Sequence, residues 1–431
     1  SNDSVESQFN DNVQINFLLT KLDPMILELI NLINELQKQL YAQHDNAINK
    51  VNLPNGTLEL SFQGKGLFNQ DSRFKQILPK FQQKLEEVRE LTNQTLFELY
   101  HEQERMLANV EALVGDITEQ IDRLDYYSEK GYQLADLLSD QKNLAQDGFI
   151  LMITNPEDPL STNLDWLMLD ASDVLNQIYS RFDHIAFVSA TLTSDHNFDY
   201  AISQLALGKM NLVKYIGKST FNMKKHLEAF AVINMPNPDS EDYQKDIAQI
   251  MVNDLADKNH VLVLMTNLDK IHDVFTETLN APELKDFEIL AQGMSGSNNR
   301  IAKRFVIAKK AIIIGADSFW EGIDFHDCGI DTVFAARLPF ESPDQPEVRL
   351  RQKKLEDQGA NVFEKDSLPR AIIRFRQGMG RLIRGEHDHG QFVILDPRIW
   401  TKNYGDAFLQ SIPVKVEKVT LKELKKKLKN K

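Results

Sequence analysis

The sequence predicts an α/β protein in which a parallel sheet with helices on both faces follows a mostly α-helical module. Two rhythms carry this reading. From about residue 12 to 145 apolar side chains recur every three or four positions, and after about residue 148 short β-rich runs alternate with helical stretches. In the first part Ile26, Leu29, Ile30, Ile33, Leu36 and Leu40 make one stripe. Phe81, Leu85, Val88 and Leu91 make a second, and Met106, Val110, Leu113, Ile117, Ile121 and Leu124 a third. Pro54-Asn55-Gly56 separates two strand-like runs and predicts a hairpin turn beside the helices. In the second part the predicted strands are Ile185–Leu192, Ala229–Ile233, Val261–Met265, Phe287–Leu290, Ala311–Gly315, Thr332–Ala336 and Phe392–Leu395. Ligands of such sheets sit at the carboxyl ends of the strands, so the residues just after each run are the ones to inspect. The expected divisions are a helical module over 1–148, an α/β domain over 149–413 and a basic tail over 414–431.

Composition excludes several classes. The 431 residues are 42% hydrophobic and 26% charged, which suits a globular protein with sizeable cores rather than a disordered chain. A single cysteine, Cys328, makes neither an internal disulfide nor a four-cysteine metal site; a reducing, cytoplasmic setting fits. No apolar run approaches the roughly 20 residues that span a bilayer, so no membrane partner is expected. The balance of 49 Lys and Arg against 63 Asp and Glu gives −14, so any nucleic-acid site must be local. Val414–Lys431, with eight lysines and two glutamates, is either such a patch or a solvated terminal helix.

Three segments carry chemistry. Gln377-Gly378-Met379-Gly380-Arg381-Leu382-Ile383-Arg384 follows Arg370, Arg374 and Arg376 on what reads as one helix, and Arg381 and Arg384 share a helical face. Two permanently charged guanidiniums on a rigid helix suit a transferring phosphoryl group; a solvated basic helix would show the same spacing. Ala311–Gly315 runs into Asp317-Ser318-Phe319-Trp320-Glu321-Gly322-Ile323-Asp324, a buried strand opening into a loop that can cap phosphates or simply turn around a packed tryptophan. Val188-Ser189-Ala190-Thr191-Leu192-Thr193 ends a predicted strand in small hydroxyl residues, as a hydrogen-bond relay or a helix cap.

Together these segments resemble the DinG/XPD-like superfamily 2 helicases. Ser189 to Leu192, Leu264 to Asn267, Gln292-Gly293, Trp320 to Asp324, Leu338-Pro339-Phe340 with Pro343, Gln377 to Arg384 and Leu395 to Arg398 follow the family's order over about residues 150–400. The resemblance implies a second RecA-like motor domain preceded by an arch module. It implies that Gln377, Arg381 and Arg384 act on ATP phosphates, and that Glu321, Gly322 and Asp324 lie between nucleotide and DNA. Ser189, Thr191, Thr266, Asn267 and Ser318 are implied to touch nucleic acid or couple it to hydrolysis, although Asn267-Leu268 departs from the commoner Ser-Tyr. The implied ligands are ATP, Mg²⁺ and single-stranded DNA, with 5′-to-3′ movement.

The half of the site that grips nucleotide is not found. No G-x-x-x-x-G-K-[S/T] loop occurs, since Leu212 stands where Gly217-Lys218-Ser219-Thr220 would need its earlier glycine, and no Asp-Glu-Ala-His string is present. In the family both lie upstream of the arch. The expectation is therefore a carboxyl-terminal portion of a longer protein, whose amino-terminal motor domain holds most of the ATP and Mg²⁺ contacts, and which turns over no ATP by itself. A second reading is an ATP- and DNA-binding regulator of an amino-terminal 3′–5′ exonuclease, as some family members carry; a third is a helical oligomerisation scaffold with an inert α/β domain. Asp286-Phe287-Glu288 and His387-Asp388-His389 have metal-ligand spacings, but a surface position and a polar turn account for them, and no metal site is expected.

Overall fold

The computed structural model describes residues 13–53, 55–64, 72–106, 126, 147–193, 197–217, 222–255, 257–279, 281–323, 325, 328–383, 385 and 387–429. The chain divides into two units, Ser1–Asp170 with Arg349–Lys354, and Ala171–Val348 with Leu355–Lys431.

The first unit sets two long helices, α1 (Val13–Ala42) and α2 (Ser72–Met106), on a four-stranded antiparallel sheet. Its strands β1 (Asn49–Asn52), β2 (Leu58–Gln63), β3 (Gly148–Ile153) and β4 (Thr162–Leu167) lie in chain order. The predicted hairpin joins β1 to β2, where Gly56 takes a left-handed φ of 83° that favours glycine. Leu40 from α1 and Phe81 and Leu85 from α2 close over Leu60, Phe62, Phe149 and Leu151. Ile26, Ile30 and Ile33 of the first stripe are exposed, because the apolar arc of α1 is wider than the face that meets the sheet. Most of the third stripe, from Val110 to Leu124, lies outside the described residues. In the same unit Arg349 pairs with the buried Glu59 at 2.6 Å.

The division falls at 170/171 rather than 148/149. Gly148–Ile153 pairs with β2 and β4 in the antiparallel sheet, so the β-rich residues just after 148 complete the first unit instead of opening the second.

The second unit is the expected parallel sheet. Strands β5 (Leu227–Val232), β6 (His260–Leu264), β7 (Glu288–Ala291), β8 (Ala311–Gly315), β9 (Thr332–Ala335), β10 (Gly390–Ile394) and β11 (Val416–Val419) pair in the order β11-β5-β10-β9-β6-β8-β7. Each of these neighbouring pairs is parallel. Alternate residues of each strand face opposite layers. Ile313, Val333 and Phe392 meet Phe305, Ile372 and Phe375 on one face, while Ile312, Phe334 and Val393 meet Tyr243, Ile247 and Val274 on the other. Cys328 packs against the first of these layers.

Two expectations fail here. Ile185–Leu192 forms no strand: residues 184–189 have no regular structure and no ladder, with Val188 92% exposed. Strand propensity alone does not satisfy the backbone groups of a strand, and the seven-stranded sheet ends at β11 and β7 without taking this segment in. The basic tail over 414–431 is not a separate piece either. β11 joins the sheet beside β5, and the helix Leu421–Lys429 buries Leu424 and Leu428 in the core while its lysines face outward. Among the described residues no helix is long and apolar enough to cross a membrane, and no group of His, Cys, Asp and Glu is placed to hold a metal ion.

Candidate functional site

The parallel strands deliver their following loops to one edge of the sheet. Met265 to Asn267 follow β6, Ala316 to Ser318 follow β8, Ala336 to Leu338 follow β9, and Leu395 and Asp396 follow β10. Backbone bonds Met265 N–H to Gly315 O at 2.8 Å and Ala336 N–H to Leu264 O at 2.9 Å carry the ladder one residue past the strands and fix where the loops begin. Gln292, after β7, accepts from Ala316 N–H at 2.7 Å and ties the next loop down.

The loop after β8 is shaped by its own side chains. Trp320, 1% exposed, donates from its indole to Met265 O at 2.7 Å. Asp317 has a positive φ of 39°, and Gly322 one of 89° at which a side chain would be strained. Ser318 Oγ accepts from Asn298 at 2.9 Å. Asp324 lies outside the described residues.

Against this loop packs the helix Leu368–Met379, whose buried face is Ala371, Ile372, Phe375, Gly378 and Met379. Its opposite side carries the charge. The Arg374 guanidinium lies 3.3 Å from Glu321, 3.6 Å from Glu341 and 3.7 Å from Asp317. Arg370 reaches Asp366 at 3.4 Å and Glu341 at 3.6 Å. Burial pushes the Asp317 carboxyl above its ordinary range; Arg374 opposes the shift, and Glu341 and Glu321 add to it. Arg381, expected to face phosphate oxygens, donates to the carbonyls of Ile323 and Trp320 and lies 5.9 Å over the Phe325 ring. Gln377 Oε1 is buried with no hydrogen-bond partner among the described residues. Arg384 lies outside them.

The first glycine of Gln377-Gly378-Met379-Gly380 is there for packing. A Cβ on Gly378 would stand 2.5 Å from Trp320 Cε3 and 2.8 Å from Cζ3. Gly378→Ala is therefore expected to cost about 1–3 kcal/mol by overpacking, read as a lowered urea midpoint with an unchanged m-value.

The other expected residues are spread along the same edge or away from it. Asn267 caps the helix Leu268–Leu279, accepting from Asp269 N–H at 2.8 Å, and Thr266 is half-buried beside it. Ser189 and Thr191 sit in the unpaired segment, their hydroxyls 3.3 Å apart. Glu288 of Asp286-Phe287-Glu288 pairs with Arg304 at 2.7 Å. Sequence reasoning missed the carboxylates of Asp317 and Glu341 around Arg374; the four-residue spacing of Arg370 and Arg374 was the available sign that one helix face gathers charge.

The helicase C-terminal domain family matches residues 252–415, the span that holds β6 to β10 and the loops that follow them. The chain is 33% identical over 257 residues to the 3′–5′ exonuclease DinG of Bacillus subtilis (strain 168), covering 58% of this chain and 27% of that protein. Residues 252–415 thus match a helicase C-terminal domain, in a chain similar to the DinG proteins. A DinG-named relative from Staphylococcus saprophyticus is 30% identical over 293 residues, 64% of this chain and 31% of its own length. The chain thus spans about a quarter to a third of the length of these DinG relatives. A solved XPD apo structure superposes on 90% of this chain and 74% of that chain with a TM-score of 0.48 at 14% identity. The parallel sheet has Glu321 in the loop after β8, with Gln377 and Arg381 on and just after the helix packed against that loop.

Proposed function

We propose that this chain is part of an ATP-dependent DNA helicase that acts on single-stranded DNA, and that its sheet edge completes a nucleotide site begun on a preceding motor domain. The observation that carries the reading is the clasp between the loop after β8 and the helix Leu368–Met379. Arg374 meets Glu321, Arg381 meets the Trp320 and Ile323 carbonyls, and Trp320 meets Met265, so displacement of one element displaces the other. A loop linked in this way to a helix end can couple a strand held on one side to phosphates held on the other. Domain closure would then exchange the carbonyls now held by Arg381 for phosphate oxygens, a stronger partner for a guanidinium. ATP and Mg²⁺ would be held mainly by the preceding domain. Arg384, on the face it shares with Arg381 in sequence, would be a second finger.

Exposed apolar residues on two stretches, around 188 and around 213–215, support a preceding domain. Val188, Val213 and Tyr215 are 92%, 98% and 83% exposed, more than isolated surface residues of their type need to be, and a neighbouring sheet or helix layer would cover them. The long helices of the first unit would serve as the arch beside a strand channel.

The relatives' names favour a second reading, in which the helicase-like part gates a 3′–5′ exonuclease rather than unwinding DNA. One experiment separates the two: ATP turnover with and without single-stranded DNA, on the intact polypeptide and on these 431 residues alone. The expected result is DNA-stimulated turnover by the intact protein and none by the shorter chain. Turnover by the shorter chain would overturn the split site, and an inert intact protein with nuclease activity would favour gating.

A further inference from the structure

Arg337 stands where the loop after β9 begins, on the ligand edge of the sheet but away from the clasp around Arg381. In the sheet order β6 separates β9 from β8, so Arg337 lies two strands, about 10 Å, from the loop after β8. Its side chain is 16% exposed. Nη2 donates to Asp239 at 2.6 Å, while Nε is buried with no hydrogen-bond partner among the described residues. A guanidinium offers Nε and one Nη as a parallel fork, and a donor withdrawn from water without an acceptor costs free energy. Only one arm of this fork is satisfied.

The partner is of the opposite kind. Asp239 comes from the loop after β5, which reaches past the end of β10, and its side chain is 78% exposed. The turn around it is held without its carboxylate. Asn237 Oδ1 accepts from Asp239 N–H at 3.1 Å, and Asn237 O accepts from Ser240 N–H at 2.9 Å and from Ser240 Oγ at 2.7 Å. Arg398, at the end of the neighbouring strand, is different: it takes both oxygens of the buried Asp396 at 2.6 to 3.0 Å. At Arg337 a fixed cation holds a carboxylate that can swing into water at little cost, because ion pairs with an exposed partner contribute little. Both guanidiniums act on the buried Tyr243, opposing the rise that burial and Asp396 impose on its hydroxyl, so positive charge gathers at this end of the edge.

We propose that Arg337 is a binding site for a backbone phosphate of single-stranded DNA, and that the Asp239 carboxylate competes with that phosphate. The proposal rests on the helicase reading above. Two oxygens of one phosphate fill the Nη2 and Nε positions together, which the single Asp239 oxygen at Nη2 does not. Such a contact reads no sequence; it fixes the path of the strand along the edge, from the loops after β5 and β9 toward the loop after β8.

The test is equilibrium binding of a fluorescent single-stranded oligonucleotide to the intact protein, without nucleotide, across a series of salt concentrations. Asp239→Asn is expected to tighten binding about 2- to 5-fold, the size of a weak surface pair. Asp242→Asn takes the same charge from an exposed neighbour that forms no ion pair with Arg337, and is expected to change affinity less. Arg337→Gln is expected to weaken binding and to lower the slope of log K against log salt by about 0.7, the value of one strand phosphate. In that background Asp239→Asn is expected to bring no gain. The surface variants keep the test independent of how well Arg337→Gln folds. Equal gains from Asp239→Asn and Asp242→Asn would overturn the proposal, since a general field effect gives that result. An unchanged salt slope in Arg337→Gln would also overturn it, and either result leaves the helicase reading intact. Binding of ADP to the same variants separates the two sources of phosphate: altered ADP affinity with an unaltered DNA slope would assign the site to nucleotide and overturn the strand assignment. No binding of the oligonucleotide by the unmodified protein would overturn this proposal and the helicase reading together.

Discussion

Replacing Asp396 by alanine is expected to destabilise the second unit by about 3–5 kcal/mol, the range for breaking one partner out of a buried ion pair. Asp396 is fully buried just beyond β10, and its carboxylate accepts from four donors. Arg398 supplies Nε at 2.9 Å, Nη2 at 2.6 Å and its backbone N–H at 2.9 Å, and Leu338 N–H donates at 2.8 Å. Alanine leaves the Leu338 amide buried and unpaired and strips Arg398 of its counter-charge. The arginine side chain is 26% exposed and can recover some water, which places the expectation toward the lower end. The Leu338 bond also holds the start of Leu338-Pro339-Phe340, so the damage extends to the loop after β9. Asp396→Asn keeps one acceptor oxygen, enough for the Leu338 amide or the Arg398 amide but not both, and is expected to lose less than alanine does. Urea unfolding of the three proteins decides the matter: equal losses for alanine and asparagine would mean that the retained amide acceptor contributes nothing and that the charge on Asp396 carries the effect.

The second large effect is expected from Trp320→Ala, about 3–5 kcal/mol for removing a buried aromatic side chain. The indole is 1% exposed, packs where Gly378 leaves room and satisfies Met265 O. Its loss opens a cavity between the loop after β8 and the helix Leu368–Met379 and frees a buried carbonyl. Because Gly378 is constrained by this ring, the two sites should not be additive. Gly378→Ala is expected to cost less in the Trp320→Ala background than alone, since the added methyl enters the space the ring has left. Equal costs in both backgrounds would show that another neighbour excludes a side chain at 378.

Much of the second unit was legible in the sequence because parallel strands covered on both faces are continuous apolar runs. Ala311–Gly315 was read with its observed bounds, and Thr332–Ala336 differs by one residue. The same signal misled at Gly148–Ile153. Its run of Phe149, Ile150, Leu151 and Met152 looks like a buried parallel strand, but it is an inner strand of an antiparallel sheet whose partner β2 lies more than 80 residues earlier. Ile185–Leu192 failed for the complementary reason. Local propensity was sufficient, but a ladder partner is a property of the fold, and this sheet offers none. In the tail, counting lysines hid the spacing of Leu421, Leu424 and Leu428, the stripe that seats the last helix.

The candidate site was legible as a set of residue types and not as a set of directions. Order along the chain identified Glu321, Gly322, Gln377 and Arg381, and the structure gathers them near one loop. It could not say that Arg381 turns to carbonyls, or that Arg376 reaches back nearly 190 residues to Ala190 and Thr193. Those depend on which backbone oxygens lie within reach of a long side chain, and sequence spacing carries no such information.

The outermost strand, β11, also determines what the sheet does not do. An open strand margin invites another chain to add itself, and flat apolar margins are where such accretion begins. Here the margin is four residues long and carries Lys418, flanked by Lys415, with Lys427 of the covering helix 2.9 Å from Glu417. A second copy approaching that side meets like charge before it meets a free backbone. The lysines that look from composition like a nucleic-acid patch thus act as a fence, ending the sheet at seven strands and keeping it from becoming a template for more.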